Sequence, residues 1–165
     1  MNMVVYDFVL NLLEQSGVNY KIHEHAPSVT YQDAADYLDF PLDRLLKAIA
    51  FRVKNGAYVL AAVNGKDRVD YKKLAQHLGT SRDKLVRLAP EEVEASLGYP
   101  LGGVAPIPTN AETKVVFDSR TLTLGKVFCG TGRNDRTLEI AITDLVKISG
   151  GSVALIVQEA GESAT

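Results

Sequence analysis

Three short stretches of this 165-residue chain hold groups able to do chemistry. The first is Lys47, at the head of the apolar run Ala48-Ile49-Ala50-Phe51. A lysine at the end of a sheet strand can project into a cleft and act as a point charge for a phosphate, a carboxylate or a developing oxyanion. Lys47 also follows Leu45 and Leu46, and a lysine closing a short helix there would simply complement the helix dipole. The second stretch is Gly102-Gly103-Val104-Ala105-Pro106-Ile107-Pro108. Adjacent glycines let a backbone approach a ligand and aim N–H groups at it, as an oxyanion hole requires, and two prolines would keep those donors aimed. An ordinary loop between a helix and a strand has the same composition. The third is Cys129-Gly130-Thr131-Gly132-Arg133, whose amides and guanidinium could cradle a phosphate. It lacks the Gly-Lys-Ser/Thr ending of a P-loop and the glycine spacing of a dinucleotide fingerprint, so a plain turn accounts for it too.

Other reactive types carry less. Cys129 is the single cysteine, and no signature of a nucleophilic cysteine surrounds it. His23 and His25 share a strand face, but two ligands do not make a zinc site and no Cys/His/Asp cluster completes one. No metal and no cofactor are expected. Basic residues gather at Lys72-Lys73, at Arg82, Lys84 and Arg87, and at Arg133 and Arg136. Such groups can meet nucleic-acid phosphates, although solvated helix faces look alike. A net charge of -2 argues against a globally basic nucleic-acid binder and leaves room only for a local basic surface.

The elements that must position these groups are legible in outline. Val5, Phe8, Val9, Leu12 and Leu13 repeat at helical spacing and stop at Gly17. Tyr20 and Ile22 predict a short strand; Thr30 with Asp33 predicts a capped helix bearing Ala34, Ala35 and Leu38; Asp43 caps another turn after Pro41. Ala48–Val53 and Tyr58–Val63 flank Asn55-Gly56 and predict a hairpin. Helices are expected from Asp70 to Gly79, from Ser81, and from Pro90 to Gly98. Strands are expected at Val115–Phe117, Leu122–Phe128, Thr137–Ile142 and Val153–Val157, with a short helix at Asp144–Ile148 and a polar tail from about Glu159. The first 17 residues carry Asp7 and Glu14 and no basic flank, which reads as an amphipathic helix and not an export signal; a cytoplasmic location follows as the expectation. Residues 1–165 read as one domain.

The ordered set resembles the YbaK/ProX family of aminoacyl-tRNA editing domains from about Val18 to Val157. The strand with Tyr20, the Thr/Ala-rich helix and Lys47 opening an apolar strand carry that resemblance. So do the Asn-Gly hairpin, Gly65-Lys66-Asp67-Arg68-Val69-Asp70, the Gly-Gly-Val-x-Pro loop, the Asp118 strand end and the Gly-rich turn. The resemblance implies an α+β fold: a mixed, curved, barrel-like sheet surrounded by short helices. It implies hydrolysis of the ester joining an amino acid to the terminal adenosine of tRNA, with cysteine or alanine on the proline tRNA as the precedent. It makes Lys47 and Gly103 the catalytic positions: the lysine orients substrate and the glycine backbone positions the ester carbonyl. Substrate-binding positions would be Tyr20, Gly102, Val104, Pro106, Gly130, Gly132, Arg133 and Glu139.

The expected partners are the acceptor end of aminoacyl-tRNA and, for a trans-editing protein, an aminoacyl-tRNA synthetase. An aminoacyl ester is already activated, so a positioned water and backbone donors suffice. Ile107-Pro108-Thr109 follows Pro106 where family members usually have glycine, giving a stiffer loop. Two other readings of the same fold remain: a non-catalytic module that binds tRNA or a synthetase, and a small-molecule ester or amide hydrolase.

Overall fold

The computed structural model describes residues 3–30, 33, 36 and 41–159. It is a mixed α+β fold with four α-helices and two sheets among the described residues. We label the strands β1 (Tyr20–Glu24), β2 (Leu46–Val53), β3 (Tyr58–Asn64), β4 (Leu85–Arg87), β5 (Thr113–Asp118), β6 (Lys126–Cys129), β7 (Arg136–Ala141) and β8 (Ser152–Ala154). The helices are α1 (Met3–Ser16), α2 (Tyr71–His77), α3 (Pro90–Leu97) and α4 (Ile142–Ser149).

One sheet runs β1-β7-β6, all antiparallel; the other runs β4-β2-β3-β5-β8, with β3-β5 and β5-β8 parallel. A bridge between Leu45 and Phe128 joins the two sheets at one corner. The curved sheet expected from the sequence is therefore an open pair and not a closed barrel.

Period-2 alternation divides the core into two layers. From β2 and β3, Leu46, Ala50, Leu60 and Ala62 face one buried cluster, shared with α1, α3 and α4. Phe51, Val59, Ala61 and Val63 face the other, covered by Leu74 and Ala75 of α2. A strand buried on both faces needs the near-continuous apolar run that the sequence shows there.

Local signals act as read. Asn55 takes a positive φ of 59° in the hairpin turn. The Asp70 carboxylate caps α2 by accepting the Lys73 N–H at 3.0 Å. Asp33 accepts the Val29 and Thr30 N–H groups while its own N–H donates to the Thr30 hydroxyl. Ala34, Ala35 and Leu38 lie outside the described residues, as do residues 160–165 of the tail.

Three expectations are corrected. The helix expected from Ser81 is a single 3₁₀ turn, Arg82–Lys84, leading into β4. Leu122 belongs to a 3₁₀ segment, Ser119–Thr123, and not to a strand. The last strand ends at Ala154, after which Ile156 and Val157 turn inward and pair with the Arg68–Asp70 segment. In each case local composition was ambiguous and tertiary packing decided.

Candidate functional site

Strand β2 is paired along its whole length on the β3 side. On its other side, among the described residues, it is covered only at its ends: β4 pairs with Phe51–Val53, and Leu45 bridges to β6. Between those covers the Leu46–Ala50 edge opens into a cavity of about 370 Å³, a size typical of small-molecule sites. Lys47 lines this cavity, as do Gly102 and Val104 of the first glycine loop and Gly130 of the second.

Lys47 is half-buried, and among the described residues its ammonium has no hydrogen bond or ion pair. Burial pulls its pKa below the usual lysine value; the Arg87 and Arg68 guanidiniums act the same way, and Asp67 opposes them. Arg87 and Arg136 also line the cavity, and no aspartate or glutamate appears among its described lining residues. Arg136 is partly neutralised by Asp135 at 3.1 Å and Glu24 at 3.5 Å. Apolar side chains such as Leu88, Val93 and Tyr99 form much of the remaining wall. A cationic centre in an apolar frame suits a ligand with one anionic group and a small apolar part.

The glycines matter because backbones touch. A Cβ on Gly130 would lie 2.2 Å from the Val104 carbonyl oxygen, and one on Gly102 would lie 2.4 Å from the Ser28 carbonyl oxygen. Gly102 also has φ 82°, which an L side chain rarely adopts. These contacts lock three segments together around the mouth: Ser28–Val29, Gly102–Val104 and Gly130–Asn134. Hydrogen bonds complete the lock. The Gly132 N–H donates to Gly103 O at 2.7 Å, the Ser28 N–H to Asn134 O at 2.7 Å, and the Gly103 N–H to Pro100 O at 2.9 Å. Buried Tyr99 donates its hydroxyl to Ile107 O at 2.6 Å, and Thr109 donates to Leu97 O at 2.7 Å. The loop with its two prolines is thus pinned at both ends.

The other sequence-derived positions fall outside the lining. Gly103 and Pro106 are buried within the pinned loop. Gly132 packs on α1, where a Cβ would meet Val5 at 2.6 Å. Arg133 makes two 2.8 Å bonds to Asp135 and lies over the Tyr6 ring. Tyr20 begins β1 opposite Ile140 and packs on the first core layer. Glu139 Oε1 accepts a hydrogen bond from His23 Nε2 at 2.8 Å. His25 does reach the cavity; its Nδ1 donates to Ala26 O at 2.7 Å, which in the neutral ring leaves Nε2 to accept the Thr137 hydroxyl at 2.8 Å. Among the described residues no group of three or more His, Cys, Asp or Glu side chains is placed to hold a metal. Cys129 is buried in the cavity wall, and burial pushes its thiol up to about 12, so it is a poor nucleophile near neutrality. Sequence reasoning passed over Tyr99 and the open edge of β2. The tyrosine hydroxyl has no short-range signature, and an unpaired edge is visible only once its neighbours are placed.

Residues 25–148 match the family model described as the aminoacyl-tRNA editing domain. The chain belongs to that family. Over 150 residues this editing domain is 24% identical to the proposed Cys-tRNA(Pro)/Cys-tRNA(Cys) deacylase EbsC of Enterococcus faecalis, covering 89% of this chain and 90% of that one. It is 31% identical over 110 residues to a proline–tRNA ligase of Kosmotoga olearia, covering 66% of this chain but only 16% of the ligase. Among solved structures it is similar to a proposed trans-editing enzyme for prolyl tRNA synthetase, with TM-score 0.80 and 25% identity, covering 94% of this chain and 98% of the other. No helix among the described residues is long and apolar enough to cross a membrane.

Proposed function

We propose that this editing domain hydrolyses the aminoacyl ester of mischarged tRNA in trans, with cysteine or alanine on the proline tRNA as the candidate substrates. The observation that carries the reading is Lys47: an ammonium without a partner among the described residues, half-buried in a cavity whose described lining holds no carboxylate. Holding that charge out of water costs stability, so its placement favours a ligand anion, here a phosphate of the tRNA end. Arg87 and Arg68 extend the positive field outward from it. The 31% identity to a stretch that makes up 16% of a proline–tRNA ligase supports the proline system.

Catalysis in this scheme rests on positioning. The ester is the activated species, a water attacks its carbonyl carbon, and the tetrahedral oxyanion takes hydrogen bonds from backbone N–H groups. Gly103 contributes by shaping the loop, its own N–H being bonded to Pro100 O. The N–H groups of Gly102 and Val104, without hydrogen bonds among the described residues, supply donors at the cavity wall. The intermediate then collapses by breaking the acyl–oxygen bond, and the departing ribose oxygen takes up a proton, equivalent to the one the water loses, and leaves as a hydroxyl, so neither metal nor thiol is required. The small cavity sorts the amino acid by size, as a second sieve after the synthetase.

The test is amino-acid release from tRNAs charged with alanine, cysteine, serine and proline. Release of one or two non-cognate residues, with prolyl-tRNA spared, is expected. Binding without turnover would make the protein a tRNA-binding module, and cleavage of free aminoacyl esters at equal rates would make it a small-molecule esterase.

A further inference from the structure

The open edge of β2 has a chemistry of its own. In the antiparallel β2-β3 ladder, Gly65 N–H donates to Leu45 O and Val53 N–H to Ala57 O, and the register pairs Lys47 with Val63 and Ile49 with Ala61. Odd-numbered residues of β2 therefore turn both N–H and C=O toward β3, and even-numbered residues turn theirs the other way. Leu88 N–H donating to Ala50 O and Lys54 N–H to Lys84 O confirm the alternation on the β4 side. Ala48 lies between the two covers. Its N–H and C=O point away from β3, toward the cavity it lines, and meet no partner among the described residues. Backbone groups buried away from water are almost always paired; Ala48 is half-buried, and a donor and an acceptor left side by side at a cavity wall offer a recognition edge to a ligand that displaces solvent there.

Resting on the deacylase reading, we infer that Ala48 reads the main-chain atoms of the esterified amino acid. One strand residue offers N–H and C=O in the same direction, and the complementary partner carries a donor and an acceptor flanking one carbon. An aminoacyl ester has that arrangement: its α-ammonium donates to the Ala48 carbonyl, and its ester carbonyl oxygen accepts the Ala48 N–H. The contact is a single rung of β-ladder between protein and substrate. A carbonyl oxygen has two lone pairs, so the rung leaves one for a donor from the glycine loop that lines the same cavity. Ala48 and the loop then form a two-donor oxyanion hole. Because the rung touches only atoms common to all amino acids, it fixes register, and the side chain is left to the apolar wall for selection.

The experiment compares matched tRNAs carrying either the amino acid that the wild-type protein releases or its α-hydroxy analogue. The analogue keeps the ester and the side chain and replaces the ammonium by a neutral hydroxyl, a weaker donor. Because the ammonium also activates the ester, each catalysed rate is divided by the uncatalysed hydrolysis rate of the same ester, and that ratio is expected to fall about 10- to 100-fold for the analogue, the usual scale for a hydrogen bond to a charged group. Ala48→Pro removes the N–H without touching the β3 ladder. Its rate is expected to fall about 10²- to 10³-fold on both substrates, as for loss of one oxyanion donor, with the ratio between them retained. Equal enhancement over uncatalysed hydrolysis on the two substrates with wild-type protein would overturn the inference and leave the deacylase reading standing. Absence of hydrolysis of any charged tRNA would remove both.

Discussion

Gly130→Ala isolates the role of loop packing from that of any reactive side chain. An added Cβ would sit 2.2 Å from the Val104 carbonyl oxygen and 2.8 Å from its carbon, against an ordinary contact of at least 3.4 Å. Relief therefore requires a displacement of about 1.2 Å, from 3.4 minus 2.2. The obstructing atoms are backbone of the loop that Tyr99 and Thr109 pin in place, so no flexible side chain can yield. Overpacking of this kind costs about 1–3 kcal/mol, and for a chain of this size each kcal/mol lowers Tm by about 2–4 °C. The larger effect falls on turnover. A misplacement of about 1 Å in a positioned site costs about 10²-fold in rate. We expect kcat/KM for deacylation to fall by about that factor at a temperature where the variant is folded, with circular dichroism unchanged. Gly79→Ala is the control. Gly79 has φ 74° and open space around a Cβ, so it should lose about 1 kcal/mol through strain alone and keep full activity. Wild-type turnover in Gly130→Ala would refute the claim that this close approach sets the geometry of the site.

Three further outcomes are expected. Tyr99→Phe deletes the 2.6 Å bond to Ile107 O and should cost about 1–3 kcal/mol in a denaturant titration, since a buried carbonyl loses its donor; unchanged stability would free the loop from that anchor. Alkylating reagents at pH 8 and EDTA should leave release unaffected, because the Cys129 thiol is buried and raised to about 12 and no metal-ligand cluster exists among the described residues; inactivation by EDTA would return attention to His23 and His25. Burial lowers the Lys47 pKa, so the ammonium discharges at a lower pH than an ordinary lysine. Substrate affinity should weaken as pH rises into that range, and an alkaline limb persisting unchanged in Lys47→Ala would assign it elsewhere.

How much of this was legible in the sequence differs by element. The hairpin and the helix that starts at Asp70 follow from turn chemistry and the spacing of apolar residues, which act over a few residues. Lys47, Gly102, Val104 and Gly130 were singled out by type and neighbours, and the fold brings these four to one cavity. Gly132 and Gly103 are small for another reason: one must pass α1 and the other must pass Arg133 backbone, where a Cβ would lie at 2.9 Å. A glycine's spacing along the chain cannot say which neighbour requires it. The basic groups of the sequence divide in the same way. Arg133 is tied to Asp135 and Lys73 to Val157 O, whereas Arg87 and the Asp135-paired Arg136 stand at the cavity. The Ala48 edge had no sequence signal, because it arises from where β4 and β6 each stop along β2.

The most direct test of the account is release of amino acid from mischarged proline tRNA by wild type beside Lys47→Ala, with tRNA binding and thermal melts measured on both. The account predicts that the variant folds, loses a large part of its affinity for the acceptor end and shows release at least about 10²-fold slower, the scale of a lost electrostatic anchor in a positioned site. Equal release by the two proteins would contradict it, and would take the lysine out of the mechanism.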